Sequence, residues 1–137
     1  MADQGMSQAE IDGWLREHFS GFDRLFRLES VSPPRATIRY LVAQQHLRPG
    51  GTVMGPAMMA LADTAMYAAL VGMDRAALTA VTSNLNMSFL HPPPAKDLIA
   101  EAEVLRLGKS LSVGEVRLYS DGDELLVAHA TVSFSHR

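Results

Sequence analysis

A chain of 137 residues has room for one core and not two, and with 47% hydrophobic and 20% charged residues it has the composition of a packed globule. A formal charge of −3 with no basic block argues against binding through nucleic-acid phosphates, and the lack of cysteine removes disulfides, thiol nucleophiles and thiolate zinc sites. The opening MADQGMSQAE has neither the basic start nor the apolar stretch of a secretory signal, so a cytoplasmic chain is expected.

In chain order, residues 7–20 read as an amphipathic helix: Ser7 and Glu10 form a capping box, and Ile11, Trp14, Leu15, His18 and Phe19 recur at helical spacing before Gly21 ends it. DRLFRLESV (23–31) reads as a short strand stopped by Ser32-Pro33-Pro34. ATIRYLV then alternates, with Ala36, Ile38, Tyr40 and Val42 on one face. A loop leads to a long apolar helix over 55–72, with Gly55 as its cap and Pro56 in its first position, where a missing N–H costs nothing. Its length approaches that of a membrane span, but Pro56, Asp63, Thr64 and the absence of basic anchors favour a buried core helix. Four strand patterns follow, over 78–90, 97–107, 110–120 and 124–134. In the first, Thr79, Val81, Ser83, Leu85, Met87 and Phe89 face one way and Thr82, Asn84, Asn86 and Ser88 the other. Gly108-Lys109 and Asp121-Gly122 join the last three strands as antiparallel neighbours. With a single long helix available, the sheet must curl around it, which makes an α+β layer.

Asp63 is the one charge in that helix, with no Lys or Arg within a turn of it. An ionised carboxylate in apolar surroundings costs several kcal/mol unless something pairs with it or uses it. Ala57, Ala60, Leu61, Ala65 and Ala68 form a stripe of mostly small residues, and Asp63 lies at its edge, toward Met59, Met66 and Tyr67. Geometry alone leaves two readings open: a general base or nucleophile at a cleft, or a solvated helix Asp bonded to nearby backbone.

HLRPGGTVMGPAMMALADTAM, residues 46–66, resembles the segment H-x-N-x-x-G-x-V-H-G-G-x-x-x-x-L-x-D of hotdog-fold acyl-coenzyme A thioesterases of the phenylacetate-pathway type. The match runs without a gap from His46 through Gly51, Val53, Gly55 and Leu61 to Asp63. The stretch from Val81 to Phe134 is similar to that family's four-strand tail, so the likeness spans residues 22–134. It implies a single hotdog domain over 1–137: a curved antiparallel sheet, two strands before and four after, wrapped around the long central helix, plus the short N-terminal one. It also implies hydrolysis of acyl-coenzyme A thioesters, with no metal or other cofactor. Asp63 falls on the acid that acts as base or nucleophile, Gly55 on the glycine whose N–H polarises the thioester carbonyl, and Thr82 on a hydroxyl that orients water or carboxylate. Three positions depart from the pattern: Arg48 replaces Asn, Met54 replaces His, and Pro56 replaces the second glycine.

Gly55 and Asp63 are eight residues apart, about 12 Å along one helix at about 1.5 Å per residue, so one thioester carbon cannot easily touch both. If both act, they come from antiparallel helices of two subunits, and a homodimer is required, with a homotetramer expected. The strand over 78–90 is the expected edge for pairing. Arg48 is read either as a ligand of the thioester oxygen, as a partner for Asp63 across the interface, or as a solvated loop cation. Arg106 and Lys109 are read as coenzyme A phosphate donors or ordinary surface cations. Met54, Met58 and Tyr67 are candidates for the acyl pocket, with methionine expected to make it pliable.

Other signals fall away. LGKS at 107–110 has Glu103 where a P-loop needs glycine, no G-x-S-x-G elbow exists, and no H-x-x-x-H pair offers a zinc site. Asn86-Met87-Ser88 fits a glycosylation acceptor without a secretory context. His46 is expected to hold backbone rather than react. Two alternatives stand beside hydrolysis: a non-catalytic hotdog module that binds acyl-coenzyme A, which Arg48 and Met54 favour, and a hydratase, which would want a histidine near Asp63.

Overall fold

The structure, a computed structural model, describes residues 5–137. Helix α1 (Gln8–His18) opens with the capping box: Glu10 N–H donates to Ser7 Oγ and Ser7 N–H to Glu10 Oε1 at 3.2 and 2.9 Å. Gly21, at φ 75°, starts one further helical turn, α2 (Phe22–Leu25), ahead of strand β1 (Phe26–Ser32) and strand β2 (Arg35–Tyr40). The strand expected over 23–31 therefore begins later. Phe22, 1% exposed, is pulled into the core by that turn, which the left-handed glycine makes possible.

Helix α3 (Gly55–Met73) is followed by a 3₁₀ turn (Arg75–Thr79) and strands β3 (Val81–Phe89), β4 (Leu98–Arg106), β5 (Leu111–Ser120) and β6 (Leu126–Ser135). All neighbours are antiparallel, in the order β1-β2-β4-β5-β6-β3. The expected architecture is present, a curved six-stranded sheet around one long helix with a short helix at the N-terminus, and this is the hotdog fold. β3 lies at one edge of the sheet, as the pairing argument required of it, and β1 at the other.

α3 is long and apolar enough by composition to cross a bilayer, yet from Leu61 to Gly72 every residue but Asp63 is buried within the domain. The small-residue stripe is thus too narrow a description. Ala60, assigned to it, is exposed along with Pro56 and Met59, because the three share with half-buried Asp63 the face of α3 turned away from the core, while Ala57, Met58 and Leu61 are buried on the other. The sheet contributes its own close approach: a Cβ at Gly114 of β5 would overlap the Met66 thioether. Leu61 and Leu70 are wholly buried, and each burial of that kind stabilises the fold by about 1.5–3 kcal/mol.

The helix start also sits one residue earlier than expected. Met54 is the N-cap, with its N–H bonded to the His46 carbonyl at 2.9 Å, so Gly55 is the first helical residue and Pro56 the second. His46 does hold backbone: its Nδ1 accepts from the Ala43 N–H at 2.9 Å, and its ring lies edge-on to Tyr40.

Candidate active site

Asp63 leaves the otherwise buried length of α3 on the side of β3. The period-two pattern put Thr82 on the face opposite Leu85, Met87 and Phe89; the structure overturns that. A β-bulge between Thr82 and Asn84 shifts the register, so Thr82 stands opposite Phe134 while Leu85, Met87 and Phe89 stand opposite Val132, Ala130 and Ala128. Those partners alternate along β6 toward the helix, so all four β3 side chains share the concave face. Thr82 Oγ1 then donates to Asp63 Oδ1 at 2.6 Å. Burial pushes the Asp63 carboxyl above the usual carboxylate range, and the Thr82 bond pulls partly the other way. A half-buried carboxylate with one oxygen fixed and no cation beside it is a stronger base than one in water.

Asp63 and Thr82 open on a cleft of about 360 Å³ walled by Trp14 and His18 of α1 and Phe19 at its C-cap, Thr64 and Tyr67 of α3, Leu78 and Ala80 before β3, Val81, and Phe134 of β6. Of these, only Tyr67 was singled out from the sequence as lining the pocket. Its hydroxyl accepts from Trp14 Nε1 at 3.2 Å and donates to the Leu78 carbonyl at 2.8 Å. Trp14 carried a signal that could have been used, since a buried indole N–H needs an acceptor. Among the described residues no methionine lines this cleft, whereas Met58 lines the cleft at Gly55.

A second cleft, about 270 Å³, lies at the start of α3 and is lined by Arg48, Thr52, Val53, Gly55, Met58, Phe89, Leu90, His91 and Pro92. Gly55 N–H is one of the donors a helix start leaves open, no side chain caps it, and it carries the positive end of the helix dipole. Arg48 donates to Thr52 Oγ1 at 3.3 Å, away from Asp63 of its own chain. The structure therefore brings Asp63, Thr82 and Tyr67 together, and separately Gly55, Arg48 and Met58. Met54 caps α3, half-buried, and Arg106 and Lys109 are exposed at the β4–β5 connection.

The thioesterase superfamily profile matches residues 50–127, which include Gly55, Asp63 and Thr82. The chain belongs to the thioesterase superfamily. A candidate thioesterase from Silicibacter sp. TM1040 is similar along its length, 34% identical with a TM-score of 0.88 over 99% of this chain and 95% of that one. Mouse acyl-coenzyme A thioesterase 13 is 28% identical over 112 residues, 79% of each chain. The Escherichia coli PaaI protein of the phenylacetic acid degradation operon shares the fold, with a TM-score of 0.84 at 23% identity over 95% of this chain and 93% of its own. This thioesterase is accordingly a thioester hydrolase. Within the chain, Asp63 and the open donor at Gly55 face different clefts.

Proposed function

We propose that the protein hydrolyses acyl-coenzyme A thioesters at a site shared between two subunits, with Asp63 of one chain facing Gly55 of the other. Water held by Asp63 attacks the thioester carbon and gives its proton to the free carboxylate oxygen. The carbonyl oxygen takes up negative charge against the partner's Gly55 N–H. Collapse expels the coenzyme thiolate, which recovers the proton from Asp63, leaving the free acid. Thr82 fixes one carboxylate oxygen and so aims the other. The 2.6 Å bond from Thr82 to a half-buried, cation-free Asp63 carries this reading.

Three further features support it. β3 is an edge strand that exposes Val81 and Phe89, at 43% and 50%, which suits pairing of two sheets across a two-fold axis; a homotetramer would stack such dimers. Arg48 and His91 beside Gly55 suit the polar side of the thioester. Arg106 and Lys109 lie at the same end of the sheet as Thr82, about 15 Å away at three strand spacings of about 4.8 Å, within reach of a coenzyme arm bearing phosphates. The name of the mouse relative, acyl-coenzyme A thioesterase 13, fits that substrate.

Asp63→Asn is expected to keep the fold and lose about 10²–10⁴-fold in kcat, the range for a general base. Thiol release measured across aryl, short, medium and long acyl-coenzyme A substrates tests it. An unchanged rate in the folded variant removes the mechanism.

A further inference from the structure

The cleft beside Asp63 ends on α1, and its wall is tied off from within. Trp14, Tyr67 and the Leu78 carbonyl form a continuous hydrogen-bonded chain, and the Thr64 hydroxyl donates to the Ala60 carbonyl at 2.8 Å. Around that chain the Phe19 and Phe134 rings lie 5.5 and 6.2 Å from the Tyr67 ring. His18 stacks on the Trp14 indole at 3.6 Å, adding a second layer to it. Side chains bonded and stacked in this way keep few alternative rotamers, so the wall is fixed.

One consequence concerns which end of the substrate enters here. With the Trp14, Thr64 and Tyr67 polar groups bonded internally, this cleft offers an incoming ligand mainly aromatic and hydrocarbon surface beyond Asp63, Thr82 and the His18 ring, whereas the cleft at Gly55, about as apolar in its lining, carries the Arg48 charge and His91. An acyl group loses water gladly; a pantetheine arm with its amides does not. The volume, about 360 Å³, lies at the low end of the roughly 300–1,000 Å³ typical of small-molecule pockets.

We propose that this aromatic cleft is the acyl subsite, and that Trp14 of α1 and Phe19 at the helix C-cap form its end wall, admitting compact apolar acyl groups and refusing long straight chains. The inference rests on Asp63 marking the reacting centre, and it adds the N-terminal helix as the element that sets the acyl range. Trp14 and Phe19 act by shape. Tyr67 acts through Trp14, as a positioning residue.

The test is kcat/KM by thiol release over acetyl, butyryl, octanoyl and palmitoyl coenzyme A, plus a ring-bearing acyl group, for the wild type, Trp14→Ala, Phe19→Ala and Tyr67→Phe. In the wild type the value should fall steeply beyond the medium chains. Since one methylene accommodated or refused in an apolar pocket changes kcat/KM about 10- to 200-fold, the long-to-short ratio should rise at least about 10-fold in Trp14→Ala and Phe19→Ala. Tyr67→Phe should raise it less, by freeing Trp14. Phe19, already 36% exposed, can be truncated without opening the core, so the test survives if Trp14→Ala does not fold. A wild type indifferent to chain length, or an unchanged ratio in folded Phe19→Ala, overturns the inference. Asp63→Asn on the same panel separates the failures: a dead Asp63→Asn with an unmoved ratio sinks the end wall alone, and an active one sinks the catalytic reading beneath it.

Discussion

The two clefts along α3 are made from the same helix and differ in almost everything that matters to a thioester. The one at Asp63 is walled by fixed aromatic rings and holds a base; the one at Gly55 opens at a helix start, holds an unused N–H donor, and carries Arg48 and His91. Eight residues of helix keep them about 12 Å apart. A carbonyl needs a base on one side and a hydrogen-bond donor at its oxygen, within bonding distance of both. On the proposed mechanism each cleft supplies half of that, which is why the whole is drawn from two chains.

The comparison is tested most directly by asking whether the halves can be supplied by different defective chains. Gly55→Pro removes the donor at a helix position that tolerates proline, and kcat should fall about 10²–10³-fold, as when one oxyanion donor is lost. Gly55→Ala keeps the N–H, and its Cβ would meet only the exposed Phe89 ring at 3.4 Å, so it should stay near wild type. Mixing Gly55→Pro with Asp63→Asn under conditions that exchange subunits puts one intact site in each hybrid dimer. Random pairing then recovers about a quarter of wild-type activity from two nearly dead proteins. Recovery no greater than the sum of the parts means the site is not shared.

What sequence could and could not reach follows the same division. The capping box at Ser7, the hairpin at Asp121-Gly122 and the length of α3 are local patterns, and each is where its residues put it. Asp63 was conspicuous because a lone charge in an apolar helix is costly wherever it lies. The orientation of Thr82 was not legible, because strict alternation cannot register one extra residue in a bulge, and that residue turns the hydroxyl from the convex face to Asp63. Trp14 and Phe19 show in the sequence only as apolar positions of an amphipathic helix, and Phe134 only as the end of the last strand. Only the fold shows that the N-terminal helix and the end of β6 meet at one cleft.

Thr82 sharpens the contrast at smaller scale, since its bond is what distinguishes Asp63 from a merely buried acid. That bond favours the ionised carboxylate, so removing it should leave burial unopposed and raise the Asp63 pKa further. In Thr82→Val the acid limb of the kcat/KM profile should therefore move to higher pH than in the wild type. The plateau should also fall by about 10-fold, the scale of one hydrogen bond to a charged group. A limb that stays in place, or moves to lower pH, would mean that Thr82 does not touch the base in the working enzyme.

The smallest expected effect is on stability, and its sign is informative. Burial raises the Asp63 pKa in the folded chain above that in the unfolded chain, so folding favours the protonated form. Whatever stability this gives is fully present below the unfolded value, about 3.9, and is lost as pH rises through the higher folded value. At neutral pH the ionised side chain is a cost to the fold, which its proposed role as base would explain. Asp63→Asn removes the charge while keeping an oxygen for the Thr82 hydroxyl, so at pH 7 it should melt a few degrees above the wild type. The advantage should shrink steadily on acidification and vanish near pH 3, which thermal melts across that range would show. The Gly55 cleft contains no such buried charge, and Gly55→Ala should show no comparable pH dependence in its Tm difference. If Asp63→Asn melts lower than wild type at pH 7, the carboxylate is paired in the assembled protein. Arg48 of the partner subunit would then be the first cation to examine.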